Sequence, residues 1–126
     1  MKESKVLEFV IKEEEKEGRK AIDVSKSRKG YDIESYDKKG NLRCIEVKRR
    51  NYPKEKFVFL TFKEFMNFVR NKNMWLYIVY KTKKGKLDII KLDREKVLEG
   101  TKNKVILTFD VSLSKKIVGK DISKEK

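Results

Sequence analysis

The chain has no histidine and no glutamine, and only one cysteine (Cys44) and one proline (Pro53). Each absence removes a class of chemistry. A single cysteine excludes an internal disulfide framework and any cysteine-based zinc site. With histidine missing as well, zinc centres, histidine-dependent nucleases and Ser–His or Cys–His hydrolases are excluded within this chain. A metal here must be held by oxygen, which points to magnesium, manganese or calcium. No apolar run approaches the length that spans a bilayer. The opening stretch MKESKVLEFVIKEEEKEGRK lacks a signal-peptide core. A cytoplasmic protein with no membrane partner is expected.

What is present is charge. Thirty-four Lys and Arg against 20 Asp and Glu give a formal net charge of +14 on 126 residues. A surplus of that size on a small domain favours polyanionic partners, nucleic acid ahead of membrane surface. Abundant Lys, Glu and Ile with no His or Gln is also a thermophile-like composition, so part of the basic excess is background. The 38% hydrophobic content, with seven Phe and five Tyr, is enough for one core, so residues 1–126 read as a single domain.

Periodicity orders the elements. Val6, Leu7, Val10 and Ile11 space an amphipathic helix from about Lys2 to Glu17, stopped by Gly18, with Glu14 on its inward side. A short strand, KAIDVS, and a basic loop, KSRKG, follow. YDIESYD and LRCIEVKRR alternate on either side of a KKGN turn, the pattern of a hairpin. FVFL reads as a short strand. Thr61 then opens a second helix with a Thr-x-x-Glu capping box closed by Glu64, and Phe62, Phe65, Met66 and Val69 form its apolar stripe. MWLYIVYKT is nearly continuously apolar, as a central strand covered on both faces would be. LDIIKLD, a short helix or turn at REKVLEG, and a strand at KVILTF follow, and the tail SKKIVGKDISKEK is expected to be loosely ordered. The expected fold is α/β, a single mixed-sheet domain with its core over about residues 2–92 and a C-terminal extension over 93–126.

Alternation puts Glu46 and Lys48 on one face of their strand and Ile45 and Val47 on the other. Asp32 can share the Glu46 face across the hairpin, and Glu14 can join them if the first helix packs at that edge. Carboxylates gathered that closely destabilise a fold unless a cation neutralises them, and oxygen ligands without histidine suit Mg²⁺ or Mn²⁺. Such an ion can polarise a phosphate oxygen, with Lys48 stabilising charge at phosphorus. Arg28, Lys29, Arg49 and Arg50 would hold a phosphate backbone without reading its sequence. Glu-x-Lys alone carries little, because it recurs at Glu3–Lys5 and Glu14–Lys16 in the first helix. A solvated, salt-bridged strand face stays open beside the metal site. Cys44 and Trp75 read as packing residues, while Tyr36 and Tyr52 are the better placed to stack on a base.

At these residues the sequence resembles the PD-(D/E)XK nuclease superfamily, whose core runs αβββαβ in the manner of restriction endonucleases. More narrowly it resembles the domain at the C-terminus of NO VEIN proteins, which also occurs within prokaryotic defence proteins. EKEGR, DVS, GYDIES, IEVK, LTFKEF and MWLYIVY carry the likeness, in order, over roughly residues 6–92. The resemblance implies Asp32 and Glu46 as metal ligands, Lys48 as the catalytic lysine and Glu14 as a helix-borne acid. It implies a Mg²⁺-dependent phosphodiesterase acting on nucleic acid, DNA favoured, in defence or repair, as a homodimer or within a larger defence complex. The alternative is a catalytically inactive nucleic-acid-binding module on the same fold. Tyr31 stands where the superfamily carries proline. Arg49 stands where the subgroup often carries a small residue, and it can either grip phosphate or obstruct it.

Overall fold

Helix α1 (Glu3–Lys16) forms because Val6, Leu7, Val10 and Glu14 recur at three- and four-residue steps, and all four side chains are buried. It ends at Gly18 (φ 85°), where the Arg19 N–H reaches back to the Glu14 carbonyl at 3.0 Å. The structure is a computed structural model and describes residues 3–50, 58–103, 106–108 and 116–118.

Strands β1 (Lys20–Asp23), β2 (Ile33–Tyr36) and β3 (Leu42–Arg50) run antiparallel in succession. The β2–β3 turn is tied by the Asp37 carboxylate, which accepts the Lys39 and Asn41 N–H groups at 2.9 Å each. It sets Ile33 opposite Ile45 and Glu34 opposite Cys44. On the other side of β3 lies β5 (Met74–Lys81), parallel to it, followed by the antiparallel β6 (Leu87–Asp93). The sheet order is β1-β2-β3-β5-β6, a mixed sheet with β3 at its centre. The expected α/β fold on a mixed sheet is borne out, and β5 is covered on both faces as its apolar run requires.

The two faces have separate cores. Odd-numbered side chains of the central strands (Ile45, Tyr77, Val79), with Ile33, pack under Val6, Leu7 and Val10 of α1. Even-numbered ones (Cys44, Met74, Leu76, Ile78) pack against Leu60 of β4 (Leu60–Thr61), Phe68 of α2 (Phe62–Arg70) and Val97 of α3 (Arg94–Asn103). Cys44 is a buried packing residue, 2% exposed.

Two expectations need correction. The FVFL strand shrinks: only Leu60, with Thr61, enters β4, while Phe57 lies outside the described residues. In α2 the apolar stripe is rotated. Phe68 is fully buried and Phe65 packs beside it, whereas Phe62 and Val69 are exposed. The capping box at Thr61 fixes where α2 starts, and Arg94 holds its other end through hydrogen bonds to the Phe68 and Val69 carbonyls at 2.6 and 3.0 Å. Lys116–Val118 (β8) pairs with β7 (Ile106–Thr108), and these strands with β4 make a small second sheet, β4-β7-β8. Among the described residues no helix is long and apolar enough to cross a membrane.

Candidate active site

β3 outruns its neighbour. Pairing with β2 stops at Ile33 opposite Ile45, yet β3 continues to Arg50, held there by β5. One residue beyond the last pair stand Asp32 and Glu46, on the even-numbered face. Asp32 closes the split: its carboxylate Oδ2 accepts the Val47 N–H at 2.8 Å, taking the place of a strand partner. The splay opens a cleft of about 820 Å³ between the start of α1, the loop before β2 and the start of α2, and Asp32, Glu46 and Lys48 all line it.

The face carrying Glu46 and Lys48 is not a solvated one. In register these residues lie beside Leu76 and Ile78, whose side chains belong to the core under α2 and α3. Glu46 is 7% exposed. Burial, then the charges of Asp32 and Glu64, push its carboxyl up to about 9, and the nearby Lys48 only partly offsets them. Asp32 is raised for the same leading reason, burial, against the pull of the Val47 N–H and Lys48. Lys48 Nζ sits 3.5 Å from Glu46 and 2.9 and 2.8 Å from the two carboxylate oxygens of Glu64. Burial works against its charge, but these carboxylates outweigh burial and raise its pKa.

Glu14 does not join this group. It sits at the opposite end of α1 from Glu3, which does line the cleft, roughly 16 Å further along the helix at 1.5 Å per residue. The inward orientation read from the sequence is right, but the place is not. Glu14 is fully buried in a network of its own. Arg19 donates to both its oxygens at 2.8 Å, the Tyr77 hydroxyl donates at 3.0 Å, and Lys91 Nζ lies 3.6 Å away. Burial alone would raise the Glu14 carboxyl, but the Arg19 hydrogen bonds and charge, helped by Ser35 and Tyr77, bring it below the usual range. The correction has a simple cause: a buried carboxylate goes where cations can reach it, and those cations come from the chain just after α1 and from β6.

The expected phosphate-binding residues divide. Arg28 and Arg49 line the cleft. Arg28 lies in the loop before β2 with φ 64°, and the next turn of that loop is held by Asn67 of α2, whose amide donates to the Gly30 carbonyl at 2.7 Å. Lys29 points elsewhere and pairs with Glu34 at 2.9 Å, where Tyr31 also donates at 2.6 Å. Arg50 ends β3 beyond the residues that line the cleft. Tyr36 faces Glu34 at 3.5 Å, and Tyr52 lies outside the described residues.

Two acids in the cleft were not singled out for chemistry in the sequence. Glu3 carries no signal beyond its place in the first turn of α1. Glu64 was legible as a helix cap, and only tertiary structure reveals its second partner, Lys48. Among the described residues no group of three acidic side chains stands close enough to hold a metal ion. Asp32 and Glu46 together still offer what Mg²⁺ accepts, one or two carboxylates with the remaining positions left to water, and a cation between them would relieve the repulsion that raises both.

A family model described as Protein NO VEIN, C-terminal, matches residues 2–91. No curated protein and no solved structure matches the chain.

Proposed function

The chain belongs to the NO VEIN C-terminal domain family, and from that premise we propose that it is a metal-dependent phosphodiesterase of PD-(D/E)XK type acting on nucleic acid, DNA foremost, in the cytoplasm. One observation carries the reading. Asp32 and Glu46 face each other where β2 parts from β3, with Lys48 two residues on, in a cleft that also receives Arg28 and Arg49. The element order α1-β1-β2-β3-α2-β5, with the two-residue β4 inserted before α2, supports the same fold type.

In this reading Asp32 and Glu46 hold a Mg²⁺ or Mn²⁺ ion, which supplies Lewis acidity toward a phosphate oxygen. The Lys48 ammonium, fixed beside them, stabilises negative charge that develops at phosphorus or orients the attacking water. Arg28 and Arg49 bind backbone phosphates on either side of the scissile bond, which holds the substrate without reading bases. Burial of Glu46 against Leu76 and Ile78 keeps bulk water from one side of the site and strengthens each of these charge interactions.

The test is incubation with DNA and Mg²⁺ or Mn²⁺. Cleavage by the wild-type protein is expected, falling about 10²-fold or more in Asp32→Ala and in Glu46→Ala. No cleavage, or cleavage unchanged in both variants, overturns the assignment. Arg49 at the cleft favours a second reading, a binding module that does not turn over. That reading requires metal-independent binding that weakens with salt, survives Glu46→Ala and is accompanied by no cleavage.

A further inference from the structure

Glu64 occupies an unusual position. It is the third residue of α2, and its Oε1 accepts the N–H of Thr61 at 2.9 Å while the Thr61 hydroxyl accepts the Glu64 N–H at 3.0 Å. That reciprocal pair is a capping box, and a capping glutamate normally ends its work there, with its second oxygen in solvent. Here both oxygens also reach Lys48 Nζ, at 2.9 and 2.8 Å. The cap hydrogen bond fixes the Glu64 rotamer, and the rotamer fixes the lysine. Lys48 has four rotatable side-chain bonds, and an ammonium on such a stem loses considerable freedom when held in one place. Glu46, at 3.5 Å, is the more distant of its two acidic neighbours, so Glu64 is the group that decides where Nζ stands.

Resting on the functional reading above, we infer that Glu64 is a positioning residue for Lys48: the helix cap of α2 is built into the cleft as a bracket that presents the ammonium to the phosphate. Glu64 makes no contact with substrate. It acts through Lys48, coupling the first turn of α2 to the even-numbered face of β3. With α2 turned so that Phe62 and Val69 face outward, Glu64 lies over Lys48.

The decisive variant is Glu64→Gln. Glutamine serves as well as glutamate in a capping box, so the helix start and the melting temperature should hold, while the charge that anchors Lys48 is lost. Two measurements are made on the whole chain. The first is acylation of individual lysines by a small amine-reactive ester, read by peptide mass spectrometry. Lys48 labelling is expected to rise several-fold in Glu64→Gln, with the exposed lysines unchanged. The second is steady-state DNA cleavage with Mn²⁺, in which kcat is expected to fall by up to about 10²-fold with KM unchanged, as misplacement of a transition-state group predicts. Glu64→Asp, which keeps the charge on a shorter stem, should recover part of kcat. Unchanged Lys48 labelling in Glu64→Gln overturns the inference, whatever the activity. So does a fall in kcat that is matched by a fall in melting temperature. Increased Lys48 labelling in Glu64→Gln with no cleavage by the wild type would uphold the bracket and overturn only the phosphodiesterase reading.

Discussion

Two glutamates lie buried on opposite faces of the same sheet, and their surroundings could hardly differ more. Glu14, under α1, has a guanidinium on both oxygens, a tyrosine hydroxyl and a lysine nearby, and its carboxyl is held below the usual range. Glu46, under α2, is crowded by Asp32 and Glu64, and its carboxyl is pushed up to about 9. A buried charge that is fully met serves the fold. A buried carboxyl pressed against others of its kind costs the fold stability, and groups of that kind cluster at functional sites.

The comparison can be broken most forcefully at Glu14. Glu14→Ala leaves Arg19 and Tyr77 facing a hole, and unfolding should become easier by about 3–5 kcal/mol in urea titration, as for other broken buried ion pairs. Glu46→Gln should behave in the opposite way. Cleavage should fall about 10²–10³-fold, about 3–4 kcal/mol of barrier, while stability at neutral pH is unchanged or improved, because the unfolded chain no longer gains by releasing a proton that the folded one retains.

The same contrast predicts opposite slopes with pH in metal-free buffer. Glu14 has a folded pKa below the ordinary glutamate value of 4.5, so its stabilising contribution is present above 4.5 and is lost as pH falls through the lower, folded value. Glu46 has a folded pKa of about 9, so between 4.5 and 9 the unfolded chain has released a proton that the folded one retains, and stability declines as pH rises across that window. Thermal unfolding scans of Glu46→Gln should show the decline flattened, with the acid limb untouched. A curve of unchanged slope would remove the distinction between the two sites.

Two smaller perturbations sharpen the cleft side. Gly30 has φ 90°, and a Cβ there would meet the Asn67 amide at 2.5 Å. Gly30→Ala should cost about 1–2 kcal/mol for the left-handed backbone alone, and by displacing Asn67 should weaken DNA binding through the Arg28 loop, measured by fluorescence anisotropy. Thr61→Ala removes one half of the α2 capping box and should cost about 1 kcal/mol in the same urea titration, the smallest effect of the set.

Much of this architecture was legible beforehand. The helix stop at Gly18, the KKGN hairpin, the Thr61–Glu64 cap and the two-faced β5 all follow from local rules, and the described structure has each of them. The face shared by Asp32, Glu46 and Lys48 also follows, since alternation needs no knowledge of what lies opposite. What escaped depends on contacts distant in sequence. Nothing near Glu14 says that Tyr77 and Lys91 will reach it, so the sequence groups it with Asp32 and Glu46, whereas the cleft lies at the other end of α1. Glu64 meets Lys48 only after β4 and α2 fold back over β3, and the far end of α2 is held by Arg94, 24 residues after Arg70. The β2–β3 register, in turn, follows from the turn geometry at Asp37, which the sequence alone does not fix.

The overhang of β3 has a consequence for how copies of this protein coexist. Past Ile45 the flank of β3 turned away from β5 pairs with no strand among the described residues. A bare flank of that kind is a template on which a neighbouring chain can zip, the usual beginning of aggregation. The side chains along it run Lys48, Arg49, Arg50. Charged side chains along an open strand edge are one way a protein keeps that edge from pairing with a second copy of itself.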